Sequence, residues 1–385
     1  MLDAIVIGAG PAGIATAAML AKRGGRFALV DRNGLVGGAY ARMEPSIVMT
    51  SPARLVGLPG KRFEPARPYG TAAEYHHYLV DYAREAGVAV GRFDVEAIEI
   101  NNDGFVVIER VRTRTAAEAS SDVDPGAGRE GSEAGHPQDT VLPGDEQAAT
   151  GPSDDRRRLS ARALVIATGM FDFPIIPAIE GTPTVPVVHA RDWREASFAN
   201  GQVVLVVGGA SSAIEIAESC ARRGCVVTVA ARKISIGAQK IFGVDPALAL
   251  FPVLARTRPA RFCDGRFTVP GVDRGFAELR ERGAIAVRRE LRRIDGSVIE
   301  LVDGARIEVD TIVFATGYRH DTSIVPAVVT RTARGTLECQ RGESVSHRGL
   351  YVVGGPCATS AASQYLYGIA RDAEAIARRI VPRSA

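Results

Sequence analysis

IVIGAGPAGIA, residues 5–15, decides how this chain folds. An apolar stretch runs into the turn Gly8-Ala-Gly10-Pro-Ala-Gly13, and Pro11 to Arg23 continues with helical spacing until Gly24 and Gly25 stop it. A strand, a glycine turn and a helix in that order open a βαβ unit of the kind that holds a dinucleotide. The first glycine permits the tight turn, the second lets the backbone approach a pyrophosphate, and the third lets the helix pack on the strand. The helix N-terminus then presents unpaired N–H groups and partial positive charge to the phosphates. Phe27 to Val30 reads as the next strand. Asp31 ends it, about 20 residues on, where an acid accepts hydrogen bonds from an adenosine ribose. Pro11, Ala12 and Arg32 fall in the same cradle.

The pattern recurs at VVGGASSAIE, residues 206–215. Val203 to Val207 reads as a strand, Gly208 to Ala213 as the turn, Ala213 to Arg223 as a helix and Val226 to Ala230 as the following strand. Two turns predict two dinucleotide sites, with Gly208, Gly209, Ala210, Ser211 and Ser212 lining the second. Ala210 stands where the first turn has Gly10 and adds a methyl where a pyrophosphate passes. Ala213, in the last glycine's place, is an accepted variant.

Two further segments match each other. Ala163-LVIATG-Met170 and Thr311-IVFATG-Tyr318 are apolar strands ending in Ala-Thr-Gly. The first precedes the second βαβ unit and the second follows most of it, so one nucleotide domain is inserted within another. The expected class is α/β with two Rossmann-like domains, divided as 1–198, 199–318 and 319–385, with the chain crossing near 170–200 and 316–320. Residues 113–157 are rich in Ala, Ser, Gly, Pro, Asp and Glu and read as a disordered insertion between two strands.

The bulk numbers narrow the class. A chain of 385 residues is long enough for two domains. Its 46% hydrophobic and 24% charged residues fit a soluble globular protein, and a net charge of +3 argues against nucleic acid or an anionic membrane as partner. No apolar run reaches the ~18 residues that span a bilayer. Met1 leads straight into a strand without a basic leader, so a cytoplasmic location is expected. None of the five cysteines forms a C-x-x-C pair, so a redox dithiol or zinc hairpin is not expected and the thiols read as structural. Cys357, in GGPCATS, is the exception worth testing.

These pieces together resemble the flavin-containing monooxygenase-like flavoproteins, a group with Baeyer–Villiger and N-hydroxylating relatives, and are also similar to bacillithiol-disulfide reductases. The matching motifs are GAGPAG at Gly8, the pair Gly37-Gly38, MTSPARL at Met49, the two ATG strands, GGASSAIE and LYVVGG at Leu350. The resemblance implies FAD in the outer domain and NADPH in the inserted one. Gly8, Gly10, Gly13 and Asp31 then hold FAD, and Gly37 and Gly38 lie by its phosphates. Thr50, Ser51, Ala167, Thr168, Gly169, Gly354 and Gly355 border it, and Thr316 and Gly317 are further cofactor-binding residues beside the crossing. Ala230 and Ala231 stand where an NAD-selective acid would be, followed by Arg232 and Lys233, and cations without a carboxylate suit the 2′-phosphate of NADPH.

Departures weaken each specialised activity. Of the fingerprint F-x-G-x-x-x-H-x-x-x-W only His189 and Trp193 are present, with Pro183 and Val185 at its start. Met49 replaces an asparagine, and Ala12 replaces the cysteine that bacillithiol-type relatives place in the first turn. The expected function is an FAD- and NADPH-dependent monooxygenase using O2 on a small molecule. Met49, Ser51 and His189 are its catalytic candidates, and Thr50, Arg54 and Tyr318 are further pocket or crossing residues. The alternatives are a reductase of a disulfide, quinone or similar acceptor, and a non-catalytic redox sensor. A homodimer is the default assembly; no metal is implied.

Overall fold

The computed structural model describes residues 1–110, 156–236, 269–356 and 358–382. The expected insertion at 113–157, its last two residues excepted, lies outside the described residues, as do Cys263 and Cys357. β1 (Leu2–Ile7) leads into α1 (Pro11–Lys22), and β2 (Phe27–Asp31) returns parallel to β1. Ala4, Ile5 and Val6 are fully buried, as expected of a parallel strand covered on both faces. Each such Ile or Val contributes roughly 1.5–3 kcal/mol by leaving water.

α2 (Ala72–Glu85) follows a long loop and starts with a complete capping box, in which the Thr71 hydroxyl accepts the Glu74 N–H and the Glu74 carboxylate accepts the Thr71 N–H. Next come β3 (Gly91–Arg92), the antiparallel hairpin β4 (Val95–Asn101) and β5 (Gly104–Glu109), and β6 (Arg158–Ile166), which carries the first Ala-Thr-Gly. β6 lies parallel to β1 on the side opposite β2.

The chain then passes into a second body. β7 (Glu180–Pro183), β8 (Val187–His189) and β9 (Val203–Val207) are followed by α3 (Ser211–Arg222) and β10 (Val226–Ala230). Beyond residue 268 come α4 (Phe276–Glu281), β11 (Ile285–Arg288), β12 (Leu291–Gly296), β13 (Val298–Leu301), β14 (Arg306–Glu308) and β15 (Thr311–Phe314). The parallel sheet here runs β11-β10-β9-β15-β8, and a smaller sheet, β14-β13-β12-β7, covers its other face. The chain returns through β16 (Cys339–Gln340), β17 (Glu343–Ser344) and β18 (Leu350–Val352), which pairs with β6, and ends in α5 (Leu366–Ile380) against α1.

Both bodies share one plan: helices on one face of a parallel sheet and a mostly antiparallel layer on the other. One boundary moves. β8 bonds to β15 and β7 to β12, so strands of the second body begin at residue 180 rather than 199. These strands are short and largely exposed, so no apolar run marks them in the sequence. α3 likewise begins at Ser211, two residues before the expected start.

The two crossings run beside each other. The Ile175 N–H donates to Gly317 O at 2.9 Å and the Arg319 N–H to Phe173 O at 2.9 Å. Among the described residues no helix is long and apolar enough to cross a membrane, and no group of His, Cys, Asp or Glu could hold a metal ion.

Candidate functional site

The two glycine turns are built alike. A Cβ on Gly8, at φ +103°, would come 2.5 Å from Ala167 O, and one on Gly208, at φ +136°, would come 2.3 Å from Ala315 O. Each turn therefore packs its first glycine against the alanine of an Ala-Thr-Gly strand, which explains why the two motifs occur as a pair. Gly13 is equally constrained, because a Cβ there would fall 1.8 Å from Gly8 O. At the matching place Ala213 is accommodated and fully buried.

Gly10 has a different reason. A Cβ at this position meets nothing within 4 Å, so the protein itself does not require glycine there. Its bareness suits a ligand lying against the backbone, whereas Ala210 carries a methyl into the second cleft. Gly38, at φ +57°, closes against Gly10, 2.9 Å from where its Cβ would be, and the Gly37 N–H donates to Ala9 O at 2.8 Å. Asp31 Oδ2 accepts the Ala9 N–H at 3.2 Å, so the acid faces the turn. Gly354 returns to the same place, with its Cβ direction 3.0 Å from Ala12 Cβ.

Neither α1 nor α3 has a side-chain N-cap, since Gly10 and Ala210 hold those positions. α2, by contrast, is fully capped. Orphan N–H groups at a helix start need a partner, and the start of α3, Ser211 and Ser212, lines both of the clefts that lie beside it. At α3 the Ser211 N–H is already taken by Val269 O at 3.1 Å. This matches α1, where Pro11 at the same position has no N–H to give.

Two clefts follow. The first, about 760 Å³, is lined by Arg32, Tyr40, Arg42, Met49, Thr50 and Ser51 from the first body and by Ser211, Ser212 and Glu215 from the second. The second, about 990 Å³, is lined by Gly208 to Ser212, Ala230 to Lys233, Glu290 and Thr316 to Tyr318. Thr50, Phe171, Ser211, Ser212 and Tyr318 line both. The clefts therefore meet at one junction.

His189 is not in either cleft wall. It is 4% exposed, its ring stands edge-on to Tyr318 with centroids 5.0 Å apart, and its Nδ1 accepts the Arg191 N–H at 3.1 Å. Burial lowers its pKa, so at neutral pH it is an uncharged support behind Tyr318. Tyr318 in turn meets Phe171 edge to face at 5.0 Å, and burial pushes its phenol up to about 12. Arg54 is exposed and lines neither cleft. Trp193 is buried in the second body's core. Cys220 is fully buried and pushed up to about 12 by burial, which makes it a poor nucleophile.

Three charged residues escaped the sequence reading. Glu290 Oε1 lies 3.0 Å from Arg232 Nε in the second cleft, contributed from the β11–β12 turn. Glu215 and Arg274 contact the loop that carries Met49. Glu215 was visible at the end of GGASSAIE, but only the fold shows that it faces another body; Arg274 and Glu290 had no sequence signal.

Comparison with known proteins places this architecture. Residues 6–78 match a NAD(P)-binding Rossmann-like domain, and residues 153–257 match the pyridine nucleotide-disulphide oxidoreductase family. Both matches point to a dinucleotide-binding oxidoreductase of the α/β class. It is 26% identical to indole-3-pyruvate monooxygenase YUCCA4 of Oryza sativa subsp. japonica over 82% of this chain and 74% of that protein. Its fold is similar to that of a flavin-containing monooxygenase from Stenotrophomonas maltophilia (TM-score 0.73, 20% identity, 98% of each chain). It is also similar to that of the bacillithiol disulfide reductase from Staphylococcus aureus (TM-score 0.67, 18% identity, 100% and 99% of the two chains). The chain is thus similar to flavin-monooxygenase-like flavoproteins and shares their fold with two Rossmann-like domains, which supports an NAD(P)H-dependent flavoprotein oxidoreductase.

Proposed function

We propose that the protein is an FAD- and NADPH-dependent monooxygenase that uses O2 on a small-molecule substrate. The observation that carries this is the junction: two clefts share Thr50, Phe171, Ser211, Ser212 and Tyr318, the two serines being the start of a helix without a side-chain cap. When bound, the flavin supplies hydride acceptance and oxygen activation, chemistry that belongs to the cofactor.

The chain's own residues bind and orient. Gly8, Gly10, Pro11, Ala12, Gly13, Gly37 and Gly38 form the cradle for the FAD pyrophosphate. Asp31 and Arg32 meet the adenosine end, while Ala167 to Gly169, Gly354 and Gly355 border the same ligand. Gly208 to Ser212 hold the NADPH pyrophosphate, with N–H groups of the α3 start beyond Ser211 as donors. Arg232 and Lys233 bind the 2′-phosphate, and Thr316 and Gly317 close the cleft beside them. Met49, Thr50 and Ser51 form the wall at the junction. Phe171 and Tyr318, with His189 behind, exclude water there, which strengthens every polar contact inside.

Ala210 does not end the second site. Its methyl stands where Gly10 leaves the backbone bare, and in this reading the cofactor lies further from the second turn by the thickness of that methyl. Glu290 is compatible with NADPH. An exposed ion pair contributes about 0–1 kcal/mol, less than the roughly 1.5–3 kcal/mol of a hydrogen bond to a charged group, so Arg232 turns from Glu290 to a phosphate.

The likeness to a disulfide reductase supports a second reading, in which a disulfide or quinone takes the electrons. An oxygen electrode separates the two. NADPH-driven oxygen uptake, with no anaerobic turnover of disulfides or quinones, supports the monooxygenase. Anaerobic turnover of such an acceptor with negligible oxygen uptake replaces it with the reductase.

A further inference from the structure

The strongest feature that the function leaves unused is a pair of charged groups of the second body that grip one loop of the first. Glu215 Oε1 accepts the Val48 N–H at 2.7 Å. Arg274 Nη2 donates to Met49 O at 3.1 Å, and its Nη1 lies 3.8 Å from Glu215 Oε1. Arg274 is itself held, because Glu218 Oε1 accepts its backbone N–H at 3.0 Å and that of Phe276 at 2.7 Å. The loop's other side is fixed to its own body, where the Met49 N–H donates to Gly70 O at 2.8 Å and the Ala72 N–H to Ile47 O at 2.8 Å. Thr50, the next residue, is one of the five at the junction of the clefts.

We propose that Glu215 and Arg274 are positioning residues that clasp the Val48–Met49 backbone across the two bodies and so set where Thr50 stands between the two cofactors. The first body contributes only backbone groups, so its side chains do not choose the contact. Both charged partners come from the second body, one in the helix that begins at the nucleotide turn. The clasp therefore ties the placement of that turn to the placement of the first cleft's wall. Burial pushes the Glu215 carboxyl up to about 7, and a carboxyl oxygen accepts the Val48 N–H in either protonation state.

This inference rests on the proposed meeting of two cofactors at the junction, and its test has one readout that does not. The FAD-loaded protein and its Glu215→Ala, Glu215→Gln and Arg274→Ala variants are compared by hydrogen exchange of peptides spanning residues 46–51 and by anaerobic flavin reduction with NADPH. A lost hydrogen bond of ordinary strength corresponds to roughly a tenfold change. Glu215→Ala and Arg274→Ala are expected to speed exchange in that peptide about tenfold and to slow reduction about tenfold, with the Kd for NADPH nearly unchanged. Glu215→Gln, whose amide oxygen still accepts the Val48 N–H, is expected to retain the protection. Unchanged exchange in the two alanine variants overturns the clasp, as does equal loss in Glu215→Gln and Glu215→Ala. If the unmodified protein is not reduced by NADPH at all, the functional reading fails while the exchange result still decides the clasp.

Discussion

Single atoms separate the two nucleotide turns. The sequence shows that Ala210 replaces Gly10 and Ala213 replaces Gly13 but cannot say which exchange matters. The structure does: at Gly13 the backbone forbids a side chain, whereas at Gly10 only a ligand has reason to. In the proposed function Arg232 and Glu290 set the cofactor choice. Arg232→Ala is expected to raise the KM for NADPH about tenfold and to leave that for NADH nearly unchanged, and Glu290→Ala to lower the KM for NADPH a few-fold, by the charged hydrogen-bond energies above. Steady-state NADPH and NADH titrations check this; equal changes for both cofactors would show that neither residue meets the 2′-phosphate. Glu215 gives a pH prediction. Its folded pKa, raised from 4.5 to about 7 by burial, means that the folded state binds a proton more tightly than the unfolded one. The stability it contributes is present below 4.5 and is lost as pH rises through about 7. Glu215→Gln, which cannot ionise, should lose less melting temperature than the unmodified protein over that window. Parallel melting curves would show that Glu215 is not buried as described.

At the scale of elements, the apolar strands and the helices that follow them were legible because buried parallel strands are continuous apolar runs. β7 and β8 were not, because they are only four and three residues long and their pairing is with partners more than 100 positions away. α2 was also silent in the sequence reading, although it is amphipathic and fully capped. It matters because it supports the first cleft from behind. Tyr75 is fully buried, meets the cleft residue Tyr40 edge to face at 4.9 Å and stacks on Tyr78 at 5.4 Å. Its hydroxyl donates to Val56 O at 3.0 Å. Tyr75→Ala should therefore cost about 3–5 kcal/mol, as large aromatic deletions do, and Tyr75→Phe about 1–3 kcal/mol, by orphaning a buried carbonyl. Chemical denaturation measures both; equal losses would mean that the hydroxyl, not the ring, holds α2 in place.

For the whole molecule, the duplicated turns and paired Ala-Thr-Gly strands were enough to read two nested nucleotide units. The junction between them was not readable. It depends on where two crossing segments lie side by side and on a loop held by the other body, neither of which leaves a pattern in sequence. His189 shows the limit well: its spacing to Trp193 suggested a cleft residue, and burial behind Tyr318 makes it a support. The proposed function requires that electrons pass from the second cleft to the first. Anaerobic mixing of the FAD-loaded protein with NADPH, followed by the visible absorbance of the flavin, tests this directly. Rapid bleaching, faster with NADPH than with NADH, is the predicted result. A flavin that stays oxidised with both, yet is bleached by dithionite, would contradict it.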